Sequence, residues 1–138
     1  MARHRFEIPL RWADFDAMSH VNNAAYLGFM QDARVSLIHA MGLDTSSLKH
    51  FGHFVARNEI DYLKPIDMDD HRVTVVLWVS RFGGASYDVL YEILDERETV
   101  CARAKSVMVM VDVASESPMR IPESVREEMQ RFYEGVEG

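Results

Sequence analysis

Residues 5–12 alternate in polarity. Phe6, Ile8, Leu10 and Trp12 fall on one side and Arg5, Glu7 and Arg11 on the other, the period of two that marks a half-buried strand. A polar stretch from Asp14 to His20 follows and ends in Asn22-Asn23, and asparagine is favoured at helix N-caps. Beyond it Tyr26, Met30, Ala33, Leu37 and Met41 recur at i, i+4, i+7, i+11 and i+15, one apolar stripe of an amphipathic helix. Gly42 stands where a C-cap glycine belongs. The spacing predicts a single helix of about five turns between residues 23 and 41.

After residue 52 the pattern turns to β. Phe54 to Leu63 reads as a strand stopped by Lys64-Pro65, and Arg72 to Phe82 as a β-branched strand closed by the hairpin signal Gly83-Gly84. Ala85 to Leu94 returns with Tyr87, Val89, Tyr91 and Ile93 on one face. Thr99 to Val111 follows with Val100, Ala102, Ala104, Ser106, Met108 and Met110 on one side, and Cys101, Arg103 and Lys105 on the other. The small pair Ala102 and Ala104 predicts a helix packed close over that strand. Pro122 at N1 opens a short last helix, Glu123 to Tyr133. A strand, a long helix and four long strands joined largely by hairpins imply an α+β single domain over residues 1–138, with an antiparallel sheet of about five strands curled round one helix. Val76, Trp78 and Phe82 make the second face of the 72–82 strand apolar as well. A single chain is not expected to cover both faces, so a homo-oligomer is expected, a dimer at minimum.

Composition narrows the chemistry. Fifteen Lys and Arg against 22 Asp and Glu give a net charge of −7, which argues against nucleic acid or an anionic membrane as partner. One cysteine excludes an internal disulfide framework and fits a reducing compartment, so a cytoplasmic location is expected. The N-terminal residues lack the apolar core of a signal peptide, and no apolar run approaches the roughly 20 residues of a membrane span. There is no Gly-rich phosphate loop and no G-x-S-x-G elbow. His50, His53 and His71 have no acid or cysteine at ligand spacing, and no metal is expected. Cys101 has no flanking base and is not a credible nucleophile.

The informative stretch is Arg11-Trp12-Ala13-Asp14-Phe15-Asp16-Ala17-Met18-Ser19-His20-Val21-Asn22-Asn23-Ala24-Ala25-Tyr26. It places two carboxylates, a histidine and two asparagines between a strand and a helix start. A helix N-terminus offers unpaired N–H groups and positive potential to a developing oxyanion. A carboxylate just upstream can serve as base or nucleophile. The same residues taken singly could simply form Asx turns and a cap.

Taken whole, the pattern W-x-D-x-D-x-x-x-H-V-N-N-x-x-Y, with Leu27 to Arg34 after it, resembles the hotdog-fold acyl-CoA thioesterases of the 4-hydroxybenzoyl-CoA thioesterase family. Glu59 to Ile66 resembles that family's second strand with its Tyr-Leu-x-Pro ending, and Asp112, Pro118 and Pro122 its close after the last strand. The resemblance implies that Asp16 is the catalytic acid, attacking the thioester carbonyl or activating a water, and that the Asn23 N–H polarises that carbonyl. It places Tyr26 one turn into the helix, as a core anchor or a substrate contact. Ser19, where many relatives carry glycine, and Asn22 fall at the substrate beside it. His20 is expected to orient Asp16, to act as acid–base, or to support the loop. Asp32, within the helix, is expected to pair with a neighbouring cation.

The implied substrate is an acyl-coenzyme A, with no cofactor beyond it. Its phosphates need cations, for which Arg81 and Ser86 at the hairpin, with Arg103 or Lys105, are candidates. Relatives of this fold pair two sheets and set the Asp-bearing loop against the partner chain, often doubling to a tetramer. Two other functions share the fold: a hydratase or dehydratase, and a non-catalytic acyl-binding module. The position of Asp16 and His20 ahead of the helix favours hydrolysis over the first, and the presence of Asp16 counts against the second.

Overall fold

The computed structural model describes residues 2–42 and 51–135. The elements run β1 (His4–Pro9), a 3-10 turn (Trp12–Asp14), α1 (Ala25–Ala40), β2 (Phe51–Tyr62), β3 (Arg72–Phe82), β4 (Ser86–Leu94), β5 (Val100–Asp112), β6 (Ser117–Pro118) and α2 (Glu123–Gln130). One antiparallel sheet takes the order β1-β3-β4-β5-β2, and the two-residue β6 pairs with the end of β5. The α+β architecture and the single long helix agree with the sequence pattern. Of the long strands, only β3, β4 and β5 follow one another by hairpins. β2 pairs with β5, from Phe51↔Asp112 to Tyr62↔Ala102, so residues 63–71 carry the chain from one edge of the sheet to its other side.

α1 buries its expected stripe, Tyr26, Met30, Ala33, Leu37 and Met41, and Phe29 with it. The helix begins at Ala25 rather than at residue 23, because Asn22 spends its side chain and its carbonyl on the turn before it. Its Oδ1 accepts the Ala24 N–H at 2.9 Å and its carbonyl accepts that of Ala25 at 2.9 Å. Gly42 ends the helix at φ +79°, the left-handed geometry that a C-terminal glycine supplies without strain. The α1 backbone makes its main approaches to β1 and β3. Ala102 and Ala104 are buried in the same core as the α1 stripe, and Arg34 of α1 reaches β4 and β5, its Nη1 donating to Tyr91 Oη at 2.9 Å and to Ser106 Oγ at 3.3 Å.

Several positions depart from simple alternation. β1 ends at Pro9, one further bond joins the Leu10 N–H to the His71 carbonyl, and the 3-10 turn of Trp12–Asp14 then takes Trp12 out of the strand, 82% exposed instead of facing the core. A bulge at Cys101 lets Ile93 pair with Ala102 and Leu94 with Val100. It turns Val100 onto the opposite face from Ala102 and buries Cys101, and burial pushes that thiol up to about 11. A bulge at Ser80 likewise turns Phe82 toward the main core, where it stacks on Tyr133 at 5.5 Å. Pro122 is the N-cap of α2, one position earlier than expected, and the helix ends at Gln130.

The second face of β3 is covered within the chain, against expectation. Val76 is 6% and Trp78 4% exposed, packed with Leu90, Leu94 and Val100. The Arg3 guanidinium lies 3.8 Å over the Trp78 ring, and Trp78 Nε1 donates to the Gly135 carbonyl at 3.0 Å. The C-terminal segment runs alongside β3 beyond the end of β1, with Val79 N–H bonded to the Phe132 carbonyl and Glu134 N–H to that of Val79. The uncovered part of the sheet is β2. That strand is twelve residues long, carries exposed Phe54, Val55 and Tyr62, and has β5 as its one neighbour among the described residues.

Candidate active site

The loop from Asp14 to Asn23 is held by its own backbone. Asn22 N–H bonds to the Asp14 carbonyl at 2.7 Å, Asp16 N–H to that of His20 at 3.0 Å, and Val21 N–H to that of Ile66 at 2.9 Å. Inside this clamp, Ser19 N–H returns to the Asp16 carbonyl at 3.1 Å and Met18 N–H to Asp16 Oδ1 at 2.9 Å. Ser19 closes the turn at φ +63°, a left-handed conformation in which glycine is at ease. Asp14 is buried and serves this frame, accepting the Arg11 N–H at 2.8 Å and Arg11 Nη2 at 3.0 Å. The two acids of Asp14-Phe15-Asp16 therefore differ in kind. Asp14 locks the loop, while Asp16 presents an exposed carboxylate.

Asp16 opens onto a cleft of about 330 Å³ lined by His20, Val21, Asn23, Tyr26, Tyr62, Leu63, Lys64 and Pro65. Of the N–H groups of residues 22–26, four have acceptors: Asn22 on Asp14, Ala24 and Ala25 on Asn22, and Tyr26 on Asn23. The Asn23 N–H has none among the described residues, and it stands ahead of the α1 N-terminus, where the helix dipole is positive. Tyr26 is buried, its ring T-shaped against Tyr62 with centroids 5.0 Å apart, and burial pushes its hydroxyl up to about 12. Tyr62 Oη donates to the Asn23 carbonyl at 3.1 Å, tying the end of β2 to the start of the helix.

The remaining candidates are distributed differently from the sequence expectation. His20 lines the cleft, but its imidazole turns to Asp67, Nε2 lying 3.5 Å from Oδ1, and its link to Asp16 runs through the His20 carbonyl. Asp32 has no cation within 4 Å among the described residues and lines a separate groove of about 660 Å³ with Arg11, Asp14 and Gly28. Arg81 grips Asp88 with two bonds, Nε–Oδ2 at 2.9 Å and Nη2–Oδ1 at 3.0 Å, and Ser86 Oγ with a third at 3.0 Å. This group sits at the hairpin end of β3, about 30 Å of strand from the end nearest Asp16. Arg103 pairs with Glu92 and Lys105 with Asp88.

Lys64 was not singled out from the sequence, where it reads only as the residue before a strand-ending proline. It is the cation in the lining of the Asp16 cleft, its Nζ 3.5 Å from Oδ2 of the buried Asp95. Burial works to raise Asp95, but the N–H groups of Thr99 and Arg97 and the Lys64 ammonium outweigh it and hold the carboxyl low. Among the described residues no three His, Cys, Asp or Glu side chains gather as metal ligands. His53 binds Tyr87 and His71 binds Glu96, while His50 lies outside the described residues. No helix among the described residues is long and apolar enough to cross a membrane.

Comparison with known proteins agrees with this fold. A thioesterase-like superfamily model matches residues 10–129. The long-chain acyl-CoA thioesterase FadM of Escherichia coli (strain K12) is 24% identical over 129 residues, covering 91% of this chain and 96% of its own. The acyl-CoA thioester hydrolase YbgC of Escherichia coli O6:H1 is 22% identical over 129 residues, covering 92% and 96%. Among solved structures, a thioesterase of Thermus thermophilus complexed with coenzyme A and Zn superposes with a TM-score of 0.81 at 30% identity, over 93% of this chain and 92% of that one. A protein of Pseudomonas aeruginosa strain PAO1 gives 0.86 at 27% identity, over 96% and 93%.

Proposed function

This chain belongs to the thioesterase-like superfamily and is a thioester hydrolase, and from that premise we propose that it hydrolyses acyl-coenzyme A with Asp16 as the reacting carboxylate. The observation that carries the reading is the Asn23 N–H, free of any acceptor among the described residues, on a residue that lines the same cleft as Asp16. A thioester carbonyl accepting that N–H is polarised at the positive end of a helix, where the oxyanion of the tetrahedral intermediate gains most. Asp16 then either attacks the carbonyl carbon, expelling the CoA thiolate and leaving an anhydride that water opens, or takes a proton from the water that attacks. Both routes consume one water, yield free acid and CoA, and need no cofactor. The peptide that carries the Asn23 N–H is held through its Asn22 carbonyl, which accepts the Ala25 N–H at 2.9 Å, so the N–H is aimed before substrate arrives. His20 holds the loop to Asp67 and so positions Asp16 indirectly.

The reading includes a homo-oligomer. The long exposed edge of β2 and the exposed Phe54, Val55, Tyr62 and Leu63 support pairing of two chains at this strand. Residues 55–63 of one chain would then approach Asp16 of the other, and the Arg81–Ser86 group reaches CoA phosphates only across such an assembly. The single buried cysteine fits a cytoplasmic enzyme. The test is a free-thiol assay on a panel of acyl-CoAs with wild type and Asp16→Asn. We expect kcat to fall at least about 10²-fold in the variant. Near-normal turnover by Asp16→Asn, with Asp32→Asn inactive, refutes the assignment. Light scattering and mixed-dimer complementation address the assembly, and a fully active monomer refutes the shared site.

A further inference from the structure

Asp16 is a wall of two cavities. Besides the cleft that holds His20, Asn23 and Lys64 among apolar walls, a second one of about 390 Å³ is lined by Trp12, Phe15, Asp16, Ala17, Ser19 and Met68. Asp16 is its sole charged wall. Trp12 is 82% and Met68 41% exposed, and Met18, at the same turn, is 74% exposed.

These side chains come together for identifiable reasons. The Arg11–Asp14 bonds turn the chain after β1 and project Trp12 outward. The Phe15↔Val21 and His20↔Asp67 bridges and the Val21–Ile66 bond draw the 66–68 segment alongside the Asp16 turn, which brings Met68 to Ser19. Neither Trp12 nor Met68 belongs to a core cluster. Folding gains nothing from an indole left in water, and apolar surface gathered beside a reactive group marks a contact with something else.

A thioester has two arms that diverge from its carbonyl carbon. A carboxylate reacting with that carbon from a shared wall leaves one cavity for each arm. The cleft with Asn23, Tyr62 and Lys64 offers hydrogen-bonding groups and a cation, which suit the amide-bearing arm on the sulfur side. The other cavity offers indole, phenyl and thioether surface. We propose that the Trp12–Phe15–Met68 cavity is the acyl subsite, and that the preferred substrates carry an aliphatic or aryl acyl group rather than a short polar one. This rests on the thioesterase reading with Asp16 as its carboxylate. At roughly 30 Å³ per water-sized group, the cavity has room for about a dozen such groups, enough for an octanoyl chain or an aryl group.

The experiment has two arms. Hydrolysis of acetyl-, butyryl-, octanoyl- and phenylacetyl-CoA is compared in wild type, Trp12→Ala and Met68→Ala. A pocket contact discriminates apolar groups by at least about tenfold, so the variants should lose that much kcat/KM on octanoyl- and phenylacetyl-CoA while acetyl-CoA stays within about twofold. In the second arm Asp16→Asn, which binds without turnover, is titrated with octanoyl-CoA and with CoA alone under acrylamide. Trp78 is buried, so the quenchable fluorescence belongs to Trp12, and octanoyl-CoA but not CoA should shield it. Equal losses on every substrate with dissociation on light scattering would assign the patch to contact between copies of this chain and overturn the subsite. Acyl-blind variants, or equal shielding by CoA, overturn it too while leaving the thioesterase reading in place. A wild type inactive on the whole panel removes both.

Discussion

Ser19 carries a side chain where the backbone asks for none. At φ +63° a residue with a Cβ bears about 1–2 kcal/mol of strain. Glycine escapes that strain but loses about 0.5–1 kcal/mol more chain entropy on folding. Ser19→Gly should therefore stabilise the protein by about 0.5–1 kcal/mol, raising Tm by roughly 2–3 °C for a chain of this length. Ser19→Val should do the reverse, since a β-branched residue is a true outlier there, and should cost at least about 1–2 kcal/mol. The turn closed by the Ser19 N–H also sets the direction of Asp16, so the valine variant should lose activity beyond its loss of folded protein. Urea midpoints of the three proteins, with thiol-release rates corrected for folded fraction, check this. A glycine variant less stable than wild type, or a valine variant indistinguishable from it, would show that the turn is not strained and refute the reasoning.

Other outcomes follow from the same coordinates. Burial lowers the His53 imidazole to about 4, so between about 6.5 and 4 the unfolded chain takes up a proton that the folded chain refuses. Stability is then complete above about pH 6.5 and falls toward pH 4 by up to about 1.4 kcal/mol per unit. His53→Gln should flatten that decline, and equal slopes in urea titrations from pH 7 to 4.5 refute it. Asp14→Asn weakens two bonds to Arg11 within a buried site and should cost about 1–3 kcal/mol. A lower kcat at an unchanged urea midpoint would instead make Asp14 a reacting group. Tyr91→Phe leaves Ser106 and the Arg34 guanidinium each short of a partner and should destabilise by a similar amount, read as a lower urea midpoint at unchanged m.

Much of the core was readable because it obeys a period. Tyr26 to Met41 keep the helical spacing, and Tyr87, Val89, Tyr91 and Ile93 the strand spacing, so their burial follows from order alone. Trp12 fails the same test because the 3-10 turn held by Arg11 and Asp14 takes it out of the strand, and alternation says nothing about where a ladder stops. Val100 and Cys101 exchange faces through a single extra residue that depends on the register with Ile93 and Leu94. Within the site, the stretch from Asp14 to Tyr26 was legible since its residues are contiguous. Lys64 and Met68 reach Asp16 only because β2 and β3 lie on opposite sides of the sheet and the segment joining them passes beneath the loop. That proximity has no local signature.

Asp16 is borne by a framework of backbone bonds, whereas the side chains of Trp12, Met18, Leu63 and Met68 around it face solvent. Substitution at exposed positions of this kind changes stability by about 0.5 kcal/mol or less, a small part of the roughly 5–15 kcal/mol that keeps a domain folded. A descendant can thus exchange the surfaces that meet the acyl group one residue at a time, with the chemistry intact at every step. Changes at Asp14 or Val21 disturb the frame and are removed by selection. The lineage is free to wander among substrates while its reaction stays fixed, and paralogues of such a chain should differ first in what they accept.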